Sequence, residues 1–410
     1  MKIWMRLLAG SAIGVLLGIF LPESGGDTAR FFSGFSEFVI RVGRYFLFPV
    51  VFFGIAIGTH ELRQDRKVLP LYLRSIVVIL AATAAMILIG TLSVLILSPA
   101  RIPPIFQEAP EMTLPNIHDL VAAIFPRNLF QIFSQPGSFL FPLAVLGFLM
   151  GLTLQTEKGF SEPLIAVFDS ASRVFYRLSS VVIEILGVGL IALAAHSVFQ
   201  LRAINDFEIY GQLLVILLFD VGLFVFIVFP LLVYFLGNRE NPFVWLYGLL
   251  SPAIAAIFSG DAYFALPTLI RMGKENLGLP RRAGSAIFPL AAVIGKSGTA
   301  LVASASFILI LRSYTALEIT FLQVLWVVVT TFGVSFLLGS VPGLGVVVAL
   351  SLLSTAYGRG MEEVFLILRP ITPILVSIGA FLDIVTAGFI GYLVSGQERM
   401  RKSVDQFDFV

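Results

Sequence analysis

The chain has 410 residues, of which 58% are hydrophobic and only 13% are charged, and its formal net charge is +2. Soluble domains average about 25% charged residues, so this composition indicates a helical protein embedded in lipid, and the small net charge gives no reason to expect nucleic-acid binding. The absence of cysteine excludes disulfides and thiolate sites, and three widely separated histidines argue against a zinc site.

Six membrane helices are predicted before residue 241, from apolar runs of about 20 residues or more between charged or Pro/Gly-rich segments. They lie at 3–21, 33–59, 68–98, 118–155, 161–199 and 207–237. The fourth is interrupted, because Pro126, Pro136 and Pro142 divide it into pieces. The first follows Lys2 and Arg6, and we interpret it as a retained membrane helix rather than a cleaved signal peptide.

The pattern changes after residue 240, where two apolar stretches are broken at their centres. The stretch 241–274 is broken at residues 259–261 (SGD), and the stretch 317–357 is broken at residues 339–343 (GSVPG). Two short helices with a tip between them fit each stretch better than one straight span. Both stretches are therefore predicted to be re-entrant hairpins.

Two further spans accompany these hairpins, at 281–313 and 361–396, and they carry Lys296 and Asp383. The order is hairpin, span, hairpin, span, and the two hairpins open from opposite sides of the membrane. This order indicates an inverted repeat, in which the binding site lies where the two halves meet.

The charges of the loops favour one orientation. When each hairpin returns to the side on which it began, most basic loop residues fall on one face, which the positive-inside rule makes cytoplasmic. The opposite face keeps few, namely Arg30, Arg101, Arg202, Arg312 and Arg359. The sequence thus predicts an all-α polytopic protein of the inner (plasma) membrane, with eight transmembrane helices, two re-entrant hairpins and both termini in the cytoplasm.

Four motifs occur in an order typical of one transporter family. Residues 124–130 (IFPRNLF) with 140–147 (LFPLAVLG) look like a broken fourth helix, and 266–271 (LPTLIR) like the descending arm of a first hairpin. Residues 288–300 (FPLAAVIGKSGTA) are similar to a seventh helix, and 341–345 (VPGLG) to the tip of a second hairpin. Over nearly its whole length the chain resembles the dicarboxylate/amino-acid:cation symporter family, which has the glutamate-transporter fold.

The resemblance implies a homotrimer in which each subunit has a fixed scaffold and a mobile transport domain that slides across the membrane as an elevator. It assigns residues 1–67 to scaffold helices 1 and 2, and 68–98 to helix 3 of the transport domain. Residues 99–206 become scaffold helices 4 and 5, residues 207–396 the rest of the transport domain, and residues 397–410 a cytoplasmic tail.

The chain departs from the family at the sodium sites. Where the family usually reads NMDGT in the seventh helix, Gly295, Lys296 and Ser297 replace the first three residues, which removes an amide and a carboxylate. In the last helix an asparagine that lines a sodium site becomes Asp383, and a sodium-binding aspartate becomes Ala387. Because hard cations need several oxygen ligands, these departures imply lost or altered sodium coupling.

Two substrate positions also differ from the family pattern. The aspartate that holds a substrate amino group aligns with Val376, and the arginine that holds a side-chain carboxylate aligns with Gly379. The loss of the arginine argues against a substrate with an acidic side chain, and the loss of the aspartate argues against an ordinary α-amino group, unless Asp261 or Lys296 substitutes. The sequence does not name the substrate.

Two charged residues lie deep within predicted spans. Lys296 is surrounded by apolar residues, and Asp383 has no other charge within ten residues. A charge at such depth costs a few kcal/mol or more, so each needs a partner. We predict that the two form an ion pair, with the ammonium in the space of the missing cation. Direct contact of Lys296 with an anionic substrate, or snorkelling to the interface, are the alternatives.

Five other residues are predicted substrate contacts at the breaks. Asp261 either binds a substrate cation or caps the helix that follows it. Ser297, Thr299, Gly339 and Ser340 offer hydroxyls and backbone at broken helix ends, which favour anionic groups.

Four further charged residues within the predicted spans are given an interpretation. Glu184 belongs to a scaffold helix and is interpreted as a packing or trimer contact, whereas Asp220 is a candidate for either a functional or a structural role. Arg41 and Arg44 are predicted to snorkel or to meet lipid phosphates.

The sequence as a whole predicts a symporter-like secondary transporter, not an enzyme, for a small polar solute such as an amino acid or a dicarboxylate. It implies no cofactor and no intact sodium site, and it leaves protons as possible coupling ions. Membrane lipid and the solute are the expected partners. A non-transporting receptor or sensor on the same fold, and a conventional sodium-coupled symporter, are the alternatives.

Overall fold

The computed structural model describes residues 2–21, 27–103, 117–123, 125–134, 139–154, 158–204, 207–237, 241–314, 319–358 and 360–410. Within these ranges the chain forms helices and no strand. Pro136, Arg359 and the first residue of the 124–130 motif lie outside the described residues.

The α-helices are numbered α1 to α18 in chain order. They are α1 Ile3–Phe20, α2 Asp27–Arg44, α3 Leu47–Gln64, α4 Val68–Leu97, α5 Ile117–Ala122, α6 Gln131–Ser134, α7 Leu140–Thr153, α8 Lys158–Arg202, α9 Phe207–Gly222, α10 Phe229–Leu236, α11 Val244–Gly248, α12 Leu250–Ser259, α13 Ala262–Glu275, α14 Arg281–Ile294, α15 Ser297–Tyr314, α16 Phe321–Ser335, α17 Gly345–Tyr357 and α18 Thr372–Gln397. A π-helical segment, Leu223–Val228, joins α9 to α10. Short 3₁₀ turns lie at Leu338–Ser340, Val364–Ile371 and Gln406–Asp408.

Seven segments of the described chain are long and apolar enough to cross a membrane. They are Ile3–Phe20, Thr28–Gln64, Val68–Leu97, Ser161–Arg202, Phe207–Leu236, Arg281–Tyr314 and Val364–Gln397. Four shorter apolar helices, α7, α12, α16 and α17, have 10 to 15 residues each. At about 1.5 Å per residue the longest of these four reaches about 22 Å, less than the hydrocarbon thickness of a bilayer. The count of eight crossings stays a prediction.

The prediction of one continuous helix at 33–59 is wrong, because the structure divides this region into α2 and α3. The break falls at Tyr45 and Phe46. Pro49 explains it, since its ring would clash with the carbonyl of residue 45 in a continuous helix. Pro49 is instead the third residue of α3, where a helix tolerates proline.

The two predicted hairpin tips are breaks between short helices. Gly260, at φ +61°, separates α12 from α13, and a turn at residues 338–344 separates α16 from α17. Gly343, at φ +80°, also has the left-handed backbone that favours glycine. Whether these pairs are re-entrant stays a prediction.

The extensive helix contacts form two groups, which α14 joins by packing against α3 as well as α18. In the first, α1 lies along α8, and α3 packs against α7 and α8. Gly10 of α1 is so close to α8 that a Cβ would lie 1.9 Å from the Gly187 carbonyl oxygen, which is typical of membrane helices in close contact. In the second group, α15 packs against α4, α17 and α18, and α18 also contacts α12 and α14.

The most enclosed part of the molecule surrounds α14, α15 and α18. In the most apolar window of Arg281–Tyr314, 94% of the residues are buried, against 33% for Ile3–Phe20. The polar residues of these helices are therefore shielded from lipid and water, and the candidate site lies here.

Candidate functional site

The site begins at the break between α14 and α15. Gly295 and Lys296 separate the two helices, and a Cβ on Gly295 would lie 2.6 Å from the carbonyl oxygen of Ala291. The break leaves the first N–H groups of α15 without intrahelical partners, so they need another acceptor.

Asp383, in the middle of α18, supplies that acceptor. Its Oδ1 accepts hydrogen bonds from the backbone N–H groups of Gly298 (2.8 Å) and Thr299 (3.0 Å), and its Oδ2 accepts one from Thr299 Oγ1 (2.7 Å). The side chain is 2% exposed. A carboxylate in this position is stabilised by the positive end of the helix dipole. Asp383 thus caps α15 from a neighbouring helix.

Lys296 provides the opposite charge. Its Nζ lies 3.7 Å from Asp383 Oδ2 and 4.9 Å from the centre of the Tyr263 ring, and the residue is 4% exposed. The ammonium is therefore placed between a carboxylate and an aromatic face, which both stabilise a cation in a desolvated site. Its side chain does not extend to a lipid interface.

Tyr263 connects the two hairpin tips. This residue near the start of α13 donates a hydrogen bond from its hydroxyl to the Gly339 carbonyl, at 2.6 Å. A Cβ on Gly339 would lie 2.5 Å from the carbonyl oxygen of Val293. Gly339 therefore contributes its backbone and close packing to the link between the tips.

Asp261 caps α13, as one of its two predicted roles required. Its Oδ1 accepts a hydrogen bond from the Tyr263 N–H (2.9 Å), and its Oδ2 pairs with the guanidinium of Arg44, the last residue of α2. The prediction that Arg44 snorkels or meets lipid phosphates is wrong, because an almost fully buried carboxylate holds it. Arg41 instead pairs with Glu37 at 2.5 Å on an exposed surface.

Two predicted hydroxyl contacts point to other partners. Ser297 Oγ lies 2.8 Å from Thr83 Oγ1 of α4, and both side chains are buried. Ser340 Oγ donates to the Leu337 carbonyl at 2.7 Å and so stabilises the turn after α16.

A cavity of about 10 Å³ lies between the hairpin tips and α18. Among the predicted substrate contacts it is lined by Lys296, Thr299 and Asp383, while Asp261, Ser297, Gly339 and Ser340 lie outside the lining. The volume holds about one water molecule. An amino acid is much larger than this space, so the elements around the cavity would have to move apart to admit one.

The aligned substrate positions of the family have no polar side chain here. Val376 lines the cavity and lies 3.0 Å from where a Cβ on Gly260 would be. A Cβ on Gly379 would be 3.2 Å from Thr299 Cα, so a larger residue there would push α18 away from α15. This close approach puts Thr299 within reach of Asp383.

The oxygen atoms near the break are already engaged. Each oxygen of Asp383 accepts a hydrogen bond, and the hydroxyls of Ser297 and Thr83 bond each other. Among the residues that the structure describes, no group of three or more His, Cys, Asp or Glu side chains is placed to hold a metal ion. The side-chain oxygens beside the break are thus bonded within the protein.

Sequence reasoning missed two residues of the site, Arg44 and Tyr263. Arg44 precedes the helix break that Pro49 imposes, and Tyr263 follows the SGD tip by two positions. Both local signals were present, but their partners are distant in sequence. Glu184, interpreted as a packing or trimer contact, pairs with Arg271 at 3.3 Å.

The chain is similar to known proteins of one transporter family. The model of the family described as "Sodium:dicarboxylate symporter family" matches residues 3–397. Human "Excitatory amino acid transporter 1" is 29% identical over 229 residues, which are 55% of this chain and 41% of that protein. Rabbit (Oryctolagus cuniculus) "Neutral amino acid transporter B(0)" is 24% identical over 287 residues, 64% of this chain and 52% of that protein. The chain thus matches about half or less of the length of these relatives.

Proposed function

The chain belongs to the sodium:dicarboxylate symporter family, and from this membership we propose that it is a secondary transporter of an amino acid or a small dicarboxylate, with sodium coupling lost or altered. The family match confirms the resemblance stated from the motifs, and the family is one of symporters rather than enzymes. Together with the apolar helices it identifies a multi-pass membrane protein. We also propose a plasma-membrane homotrimer with both termini in the cytoplasm.

The Lys296–Asp383 pair is the observation that carries the coupling proposal. An ammonium 3.7 Å from a carboxylate offers, within the protein, the positive charge that a bound cation would supply. Because it is covalently attached, this charge does not enter or leave with the solute. A gradient of sodium would then do no work at this position.

The solute site is proposed to be the cavity between the hairpin tips. It is lined by Lys296, Thr299 and Asp383, and by the backbone of glycines at both tips. The ammonium of Lys296 favours a carboxylate of the solute. The turn that carries Gly343 would open to admit the solute and close over it.

The proposed movement is a slide of the second helix group along the first. It is supported by the packing of α15 and α18 with α4, α12, α14 and α17 as one cluster, because such a cluster can move without breaking its own core. The solute would cross the membrane within that cluster.

Uptake into liposomes tests the proposal. The purified protein is reconstituted and supplied with labelled L-aspartate, L-glutamate, L-serine, L-alanine or succinate, while sodium and proton gradients are imposed separately. We expect accumulation of at least one solute without sodium. Strict sodium dependence would contradict the altered coupling, and no uptake or exchange of any of these solutes would contradict the transport proposal for this substrate class.

A receptor or sensor on the same fold is the second candidate, and a specific observation favours it. Five ion pairs join the predicted scaffold helices to α13, α14 and the tip before α13, and they would have to break in any slide. They are Arg44–Asp261, Arg271–Glu184, Arg281–Glu61, Arg281–Asp169 and Arg282–Asp65. Thermal stabilisation by one of the solutes, without flux or exchange of that solute, would identify this function.

A further inference from the structure

A second buried carboxylate lies apart from the solute site. Asp220 is near the middle of the 30-residue span Phe207–Leu236 and is 0% exposed, whereas its neighbours Leu218 and Phe219 are 60% and 57% exposed. The apolar neighbours thus face outward, and Asp220 faces inward towards α4, with which α9 packs.

The carboxylate of Asp220 is only half satisfied. Its Oδ2 accepts a hydrogen bond from Ser93 Oγ at 2.8 Å, and its Oδ1 has no hydrogen-bond partner among the described residues. In those residues no basic side chain forms an ion pair with it either. An ionised carboxylate in such surroundings is costly, and a bound proton removes that cost by removing the charge.

Asp383 and Asp220 differ in their hydrogen bonds and in their charged neighbours. Asp383 receives three hydrogen bonds and faces an ammonium, all of which favour its ionised form. Asp220 receives one hydrogen bond from a neutral hydroxyl. Of these two buried carboxylates, Asp220 is therefore the one with fewer hydrogen-bond donors and with no basic partner among the described residues.

The charged and titratable groups on the elements packed against α9 are occupied elsewhere or lie at helix ends. On α4, Tyr72 forms a hydrogen bond with Thr59, and Arg74 pairs with Glu398. On α15, Arg312 and Tyr314 lie in the last turn. On α18, Asp383 faces Lys296 and the ring of Tyr392 lies beneath Arg401, and the π-helical segment has no such group. On α9 itself, Glu208 is in the first turn and Tyr210 donates to the Ile367 carbonyl. Within the described chain, the hydrogen bond that Asp220 accepts thus comes from a neutral hydroxyl, that of Ser93.

The helix geometry changes close to Asp220. The π-helical segment Leu223–Val228 begins three residues after Asp220, and such segments are common at functional sites.

The two buried polar positions share a neighbour, α4. Ser93 lies ten residues after Thr83 on α4, which is about 15 Å along a helix, and Thr83 forms a hydrogen bond with Ser297 beside the break at Lys296. One helix therefore contacts both buried polar positions.

We propose that Asp220 is a proton-binding site through which this transporter couples solute movement to protons. The inference rests on the transport function proposed above and names its coupling ion. One proton binds at Oδ1, where it forms an O–H bond and neutralises the carboxylate, and the same bond breaks when the proton leaves on the other side. No other bond changes.

Infrared difference spectroscopy tests the proton site without any solute. The full-length protein in nanodiscs is titrated from acid to alkaline pH, and the carbonyl stretching band of a protonated carboxylic acid is followed. We expect a titrating band in the wild type that Asp220→Asn lacks. The control Glu184→Gln, at a carboxylate paired with Arg271, should keep the band. An unchanged band in Asp220→Asn would overturn the proposal.

A second variant covers a failure of Asp220→Asn to fold. Ser93→Ala removes the hydrogen bond to the carboxyl group and should move the same band to higher frequency. A band that does not move would place the proton elsewhere and overturn the proposal.

Transport measurements separate this inference from the proposed function. In liposomes with labelled L-aspartate, L-serine and succinate, the Asp220→Asn change should lower proton-driven accumulation at least tenfold, while solute exchange continues. If the wild type transports a solute but no titrating band depends on Asp220, the proton site fails and the transporter stands. If the band depends on Asp220 but no solute moves, the transport function fails and the proton-binding site stands.

Discussion

At the scale of single residues, the chain stabilises a buried charge by giving it several partners at once. Asp383 combines a helix cap, a threonine hydroxyl and an ammonium, so that neither oxygen is left without a donor. Breaking a buried ion pair by removing one partner is usually worse than removing both, because it strands the other charge. This asymmetry gives a direct test of the pair.

The first prediction concerns that pair. Lys296→Met should destabilise the protein by about 3 kcal/mol, because it leaves the Asp383 carboxylate without its counter-charge. Adding Asp383→Asn should restore part of this loss, and the coupling free energy should reach about 1 kcal/mol or more. The free energy of unfolding in detergent micelles is measured for the wild type, the two single variants and the double variant. Strict additivity of the two changes would rule out the pairing.

The second prediction concerns Tyr263. Tyr263→Phe keeps the ring beneath Lys296 but removes the hydrogen bond to the Gly339 carbonyl, which is worth about 1 kcal/mol. The 338–344 turn should then open about fivefold more often. Since the natural chain has no cysteine, maleimide labelling of Ser340→Cys reports this opening. The control Tyr234→Phe, at an exposed position of α10, should not change the labelling rate. A labelling rate in Tyr263→Phe equal to that of the wild-type background would contradict the proposed link between the tips.

At the scale of elements, the site is made of helix ends. Breaks at Tyr45, Gly260, Gly295 and residues 338–344 leave backbone groups that need partners, and a membrane interior offers none except protein. Asp261 and Asp383 each accept a hydrogen bond from a backbone N–H group at the start of a helix. The same residues also hold neighbouring elements together.

The third prediction separates the two tasks of Asp261. Asparagine is an equally good N-cap, so Asp261→Asn should lose the ion pair with Arg44 but keep α13 capped. Asp261→Ala should lose both, and the difference between the two variants should be about 1 kcal/mol in the free energy of unfolding. In an Arg44→Gln background the Asp261→Asn change should cost less than in the wild type. An Asn variant as unstable as the Ala variant would argue that the cap contributes nothing.

At the scale of the whole molecule, the question is whether the two helix groups slide. Their contact surface between α3 and α14 is close, since a Cβ on Gly54 would lie 3.2 Å from Ser285 Cβ. This is slightly shorter than the usual separation in a disulfide, about 3.5–4.5 Å, so a small shift would allow the bond. The surface also carries ion pairs of Arg281 and Arg282.

The fourth prediction uses this proximity. The double variant Gly54→Cys with Ser285→Cys should form a disulfide on oxidation that fixes the two groups in the present position. Oxidised protein should lose solute flux in liposomes but regain it after reduction, while each single variant stays unaffected by oxidant. Undiminished flux with the disulfide formed would contradict the sliding mechanism.

Much of the architecture was predictable because hydrophobic length and charge placement act locally. The long apolar runs indicated the membrane spans, and the SGD and GSVPG interruptions indicated the helix breaks at residues 260 and 338–344. The division of α2 from α3 was missed although Pro49 provides a local cause. Its effect falls four residues earlier in the chain, where the apolar pattern continues without interruption.

The sequence by itself determined that this is a helical membrane protein of a symporter family and that Lys296 and Asp383 need partners at depth. Only the tertiary structure decided which partners they have: Asp383 faces Lys296, Asp261 faces Arg44, and Ser297 turns to Thr83. The physical reason is that desolvation of a charge follows from its local apolar surroundings, whereas its neutralisation depends on groups brought near by folding. Arg44 and Asp261 are 217 residues apart in the chain, and no local pattern relates them.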